Sequence, residues 1–139
     1  MRVVVDTNIL ISALLGDRSL PAHLIALWRG GLFDLVTSSD QVDELIRVTR
    51  YPKIRARLVP ALAGRLINEL RHIAVQVAHP VVPAVSPDPD DDYLLALSVA
   101  GSAHFLVTGD KRDLLVFRRY EGTRIVTVRE FLTLHRALP

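Results

Sequence analysis

The 139-residue chain contains no cysteine. That absence excludes disulfide scaffolds, thiolate zinc sites, iron–sulfur clusters and cysteine nucleophiles together. Aromatic residues are scarce, with one Trp, three Tyr and four Phe, so no aromatic platform for stacking single-stranded bases is available. No apolar run approaches the roughly 18 residues that a membrane span needs. The three valines after Arg2 fall far short of a signal-peptide core and read instead as a first strand. A soluble, cytoplasmic protein without membrane contact is the expectation. An excess of one charge is lacking too, since 17 Lys and Arg face 15 Asp and Glu for a net charge of +2.

Half of the residues are hydrophobic, which rules out a disordered tail or charged linker. The length suits one compact domain over residues 1–139. The charges are unevenly distributed. Residues 47–71 carry Arg47, Arg50, Lys53, Arg55, Arg57, Arg65 and Arg71 against the single acid Glu69, whereas residues 88–92 carry Asp88, Asp90, Asp91 and Asp92 with no base.

Apolar runs and breakers order the chain into alternating strands and helices. Strands are predicted at 2–6, 33–37, 74–78, 104–108 and 124–126. Helices are predicted at 8–15, from Pro21 to Gly30, from Ser38 to about Arg50, at 54–58, 60–73 and 93–100, with a single turn at 114–118. Ser38 and Gln41 have capping-box spacing, as do Thr127 and Glu130, which open a terminal helix offering Phe131, Leu132, Leu134 and Leu138 for burial. Pro80, Pro83, Pro87 and Pro89 hold an extended loop between them. The alternation implies an α/β fold with a parallel sheet covered on both faces.

Ligands of such sheets bind outside the carboxyl ends of the strands. Asp6 ends the first strand, Asp110 follows the fourth, Asp92 opens the helix that feeds the fourth, and Glu44 lies early in the helix after the second. Two carboxylates about 4 Å apart repel by roughly 4 kcal/mol at an effective dielectric near 20. A hard divalent cation relieves that repulsion and accepts oxygen ligands. Each acid also has an ordinary role available: Asp6 as a turn or cap residue, Asp88–Asp92 as acids favoured at a helix N-terminus, Asp110 as a loop acid. The basic stretch reads more readily as a solvated helix face than as a nucleic-acid surface.

Taken together, the apolar strand running into Asp6-Thr7-Asn8, the helix carrying Glu44, the Asp-Pro-Asp-Asp-Asp run ending at Asp92 and the Thr108-Gly-Asp110 turn resemble the PIN-domain nucleases, nearest to their bacterial toxin–antitoxin members. The resemblance implies a three-layer α/β/α sandwich around a five-stranded parallel sheet and metal-dependent cleavage of RNA. It assigns Asp6, Glu44, Asp92 and Asp110 to a site for Mg²⁺ or Mn²⁺, with Thr7, Asn8 and Thr108 as supporting hydrogen-bonders. Asp91 stands beside Asp92 as an alternative ligand. Asp113 is the next acid after Asp110, because Arg112 occupies the position where many relatives carry an acid. Arg50, Lys53, Arg55 and Arg57 are candidates for contacting RNA phosphates. The resemblance also implies a homodimer and a cognate antitoxin protein. A noncatalytic RNA- or partner-binding domain is the competing reading. An aspartate-nucleophile phosphatase is disfavoured, because Asn8 stands where those enzymes need a second acid.

Overall fold

A computed structural model describes residues 1–78, 80–109 and 112–139. The chain runs β1 (Arg2–Val5), α1 (Thr7–Leu15), α2 (Leu20–Arg29), β2 (Asp34–Thr37), α3 (Ser39–Thr49), α4 (Pro52–Arg55), α5 (Pro60–His72) and β3 (Val75–Gln76). It continues with α6 (Pro89–Ala100), β4 (Phe105–Thr108), α7 (Arg112–Leu115), β5 (Arg119–Tyr120), β6 (Thr123–Thr127) and α8 (Val128–Leu134). Among the described residues no single helix is long and apolar enough to cross a membrane.

The sheet has the order β3-β2-β1-β4-β6-β5. Its first five strands are parallel, as the sequence predicts, and β5 is added antiparallel to β6 at one edge. Glu121 and Gly122, both at positive φ (48° and 87°), form the two-residue connection between β5 and β6. A left-handed pair of this kind matches the twist of a hairpin. Side-chain alternation along the strands feeds two separate cores. Val3, Val5, Leu35 and Val107 face α1, α2, α3, α5 and α8. Val4, Val36, Leu106 and Ile125 face α6 and Leu114 of α7. These are the three layers of an α/β/α sandwich.

Several boundaries differ from the sequence prediction for local reasons. Helix α6 begins at Pro89, not at Tyr93, because Asp88 caps it through the Asp90 amide and Pro89 occupies its first turn. Helix α4 starts at Pro52, again a proline in the first turn but with no side-chain cap. Helix α8 buries Val128, Phe131 and Leu132, whereas Leu134 and Leu138, predicted for burial, are exposed. Seven residues present one stripe to the core, and Leu134 falls off it. Gly101 closes α6 where a Cβ would stand 2.5 Å from Val36 Cγ1, so only glycine lets the helix end lie this close to β2.

The topology fixes where a site can form. From β1 the chain moves outward through β2 and β3, then returns to the other side of β1 with β4. The carboxyl ends of β1 and β4 therefore flank a topological switch point, the usual crevice for ligands in open sheets.

Candidate active site

Asp6 occupies this crevice. It follows β1 directly, its backbone amide donates to Val107 O at 2.9 Å, and it is the N-cap of α1. One carboxylate oxygen, Oδ1, accepts the Asn8 amide at 3.0 Å. The other, Oδ2, accepts the Thr108 hydroxyl at 2.9 Å. Capping needs only one oxygen, so the contact from β4 does something further: it fixes the rotation of the carboxylate. Asp6 is only 2% exposed.

Behind Asp6 lies a buried polar bridge centred on Gln41 in the first turn of α3. Its Nε2 donates to Val5 O at 2.7 Å and to Thr7 Oγ1 at 3.4 Å, and its Oε1 accepts the Thr37 hydroxyl at 2.6 Å. Only half of the predicted capping box at Ser38 therefore forms. The Ser38 hydroxyl accepts the Gln41 amide, while the Gln41 side chain turns inward to tie β1, α1 and β2 together. At Thr127 and Glu130 both halves are present.

Asp6, Thr7, Asn8, Glu44, Asp90, Tyr93 and Leu94 line a cleft of about 40 Å³, enough for a small number of waters. Glu44 reaches it from α3 in one helical layer and Asp90 from α6 in the opposite layer. Residues 90, 93 and 94 share one face of α6. The Tyr93 hydroxyl meets the Ser38 hydroxyl, which joins the start of α3 to α6 across the cleft. Burial pushes the Tyr93 phenol above its usual range. The Ser38 hydrogen bond opposes that shift, and the charges of Asp40 and Glu44 add to it. Tyr93 is thus a neutral hydroxyl beside an acidic cleft.

The predicted site residues separate. Asp6 and Glu44 come together in the cleft with Thr7 and Asn8, and Thr108 contacts Asp6. Asp92 does not line it. Its Oδ1 accepts the amides of Val85 at 3.2 Å and Ser86 at 2.8 Å, which pins the proline-rich loop to α6. The acid that this turn contributes to the cleft is Asp90. Asp91 is buried beside it. Asp110 lies outside the described residues, as does the side chain of Asp113. Arg50, Lys53, Arg55 and Arg57 are all exposed, around the end of α3 and along α4. Sequence reasoning passed over Tyr93 and Gln41 and treated Asp90 as a mere neighbour of Asp92. A signal for two of them was present: Asp88-Pro89 is a cap followed by an N1 proline, and a helix started there places Asp90 and Tyr93 on one face.

The cleft offers carboxylate, hydroxyl and amide oxygens and no nitrogen or sulfur ligand, a donor set that fits a hard divalent cation. Among the described residues no group of three Asp, Glu or His side chains can hold a metal ion unaided. Mg²⁺ commonly keeps several waters and takes only one or two protein carboxylates, so the set remains suitable.

An acid-lined crevice thus lies at the switch point of a three-layer, mostly parallel sheet. The chain belongs to the PIN domain family, which matches residues 2–112. PIN domains are generally nucleases, which places the protein among hydrolases. No curated protein and no solved structure matches the chain.

Proposed function

We propose that the protein is a Mg²⁺- or Mn²⁺-dependent endoribonuclease and the toxin of a toxin–antitoxin pair. The observation carrying the nuclease reading is the meeting of Asp6, Glu44 and Asp90, from three separate elements, in one cleft at the switch point. The toxin role is supported by the sequence resemblance.

One or two of the cleft carboxylates Asp6, Glu44 and Asp90 would ligate the cation directly and the others through water, with Asp110 a further candidate by its place in the sequence after β4. When bound, a divalent cation supplies Lewis acidity toward a phosphate oxygen and activation of water for attack on phosphorus. The chain's own residues prepare the site. Thr108 and the Asn8 amide hold the Asp6 carboxylate in one orientation, and Gln41 holds the Val5 carbonyl before it and the Thr7 hydroxyl after it. Tyr93, kept protonated, and the Asn8 side chain stand where hydrogen-bond donors can meet phosphate oxygens. Lys53 and Arg57, exposed at the basic end of the molecule, can neutralise more distant phosphates.

Incubating purified protein with RNA, single-stranded DNA and a phosphomonoester, each with Mn²⁺ and with EDTA, tests this reading. RNA should be cut only with metal, leaving a 5′-phosphate and a 3′-hydroxyl, and Asp6→Asn should abolish turnover. Full activity in EDTA, or 2′,3′-cyclic phosphate products, would refute it.

A further inference from the structure

A groove of about 360 Å³ opens between α3, α4 and α5, separate from the acidic cleft. Ile46, Leu58 and Ile67 form its apolar floor, and Arg50, Arg55 and Arg71 stand around it. No acid is among its lining residues. Among the described residues, ion pairs are confined to Glu69, with Arg29 and Arg65, so the three groove arginines are not neutralised that way. The polar side chain of the lining, Thr49, already donates its hydroxyl to Ile46 O at 2.7 Å.

The groove and the cleft use different sides of α3. At about 100° per residue, Ile46, Thr49 and Arg50 lie roughly 120–160° around the helix from Glu44. A substrate strand occupying the cleft does not continue into the groove along this helix. The groove chemistry also disfavours RNA. Phosphates would pair with the guanidinium groups but leave the aliphatic floor uncovered, and no aromatic ring lines it to receive a base.

We infer that this groove docks an acidic, amphipathic helical segment of a partner protein, aliphatic side chains against Ile46, Leu58 and Ile67 and carboxylates against Arg50, Arg55 and Arg71. Charge complementarity identifies the occupant: arginine forks pair with carboxylates in bidentate fashion, and spaced aliphatic anchors fill a groove from one helix face. The inference is independent of the nuclease chemistry, because no groove residue lines the cleft.

Gly64 provides the test. It lies on α5 at the groove, and a Cβ built there meets nothing within 4 Å. Gly64→Leu therefore enters the groove from an unobstructed Cβ and removes a helix-interior glycine, which should raise Tm by about 3 °C. The probe is a fluorescein-labelled helical peptide with two leucines four residues apart, flanked by glutamates. Anisotropy should show salt-sensitive binding to the wild type. Affinity should fall at least tenfold for Gly64→Leu, for Arg71→Glu and for a peptide with both leucines changed to serine. Metal-dependent RNA cleavage by Gly64→Leu should match the wild type, so failure of the nuclease reading and failure of this one are distinguishable. The inference is overturned if the wild type does not bind the peptide or if Gly64→Leu binds it equally well. It is also overturned if Gly64→Leu weakens binding of a single-stranded RNA instead, or if it dissociates a homodimer in sedimentation.

Discussion

Replacing Gln41 by leucine probes whether the bridge behind Asp6 holds the fold together. The two side chains are similar in size, so the change removes hydrogen bonds with little change of volume. Gln41 is fully buried, and its loss takes the donor at 2.7 Å from Val5 O and the acceptor at 2.6 Å from Thr37 Oγ1. Each buried group left without its partner costs about 1–3 kcal/mol. Greater apolar burial by leucine returns part of this, giving a net loss of about 2–3 kcal/mol. With a urea m-value of about 2 kcal/mol/M, the midpoint should fall by about 1–1.5 M. The single tryptophan, Trp28, is buried in the core and reports the transition by fluorescence. Adding Thr37→Val removes the orphaned hydroxyl, so the double variant should be about 1 kcal/mol more stable than the sum of the singles predicts. A midpoint within about 0.3 M of the wild type, or strict additivity, would refute the reasoning.

Two further outcomes are expected. Asp92→Ala should expose the 80–88 segment to limited proteolysis, and Asp92→Asn should restore protection with nuclease activity intact, because the amide oxygen still accepts the Val85 and Ser86 amides; lost activity in the asparagine variant would make Asp92 a metal ligand instead. The raised Tyr93 pKa favours the folded state wherever the phenol is protonated, so this contribution is complete below about pH 10 and fades as pH rises above it. Tyr93→Phe loses the hydrogen bond to Ser38 and should be less stable than the wild type at pH 8, with the gap narrowing as pH rises above about 10; a gap independent of pH would contradict this.

The fold was legible because its signals are local and repeated. Val3-Val4-Val5, Leu35-Val36 and Leu106-Val107 are strands buried on both faces, and the breakers between them are strong. The strand β5 was not legible. Two residues carry no periodicity, and its turn uses Glu121 at a left-handed position where asparagine or aspartate would have announced a hairpin. At the site, Asp6 and Glu44 were readable from their places after β1 and along α3. The division of labour among Asp90, Asp91 and Asp92 was not. Three adjacent aspartates point in three directions on a helix, and a start placed at Tyr93 instead of Pro89 leaves all three in the preceding loop. The groove was invisible for a related reason: Ile46, Leu58 and Ile67 belong to three separate segments, and only their packing creates a concave floor.

The distribution of buried polar groups says what this edge of the sheet is for. Asp6, Thr7, Thr37, Ser38, Gln41 and Thr108 are all buried at the cleft or in the network directly behind it. Elsewhere, buried hydroxyls simply donate to a backbone carbonyl, Ser98 to Leu94 O in its own helix and Thr123 to Ala103 O. Among the described residues no buried side-chain nitrogen or oxygen lacks a partner. Burying polar groups brings little net stability even when every one is satisfied, whereas apolar side chains would stabilise the same volume more simply. What a fully satisfied network does bring is a fixed geometry. Here that geometry converges on one carboxylate, with both Asp6 oxygens held by donors, one from α1 and one from β4. Asp6 is therefore oriented by the protein before any ligand arrives, and little reorganisation is left for the chemical step.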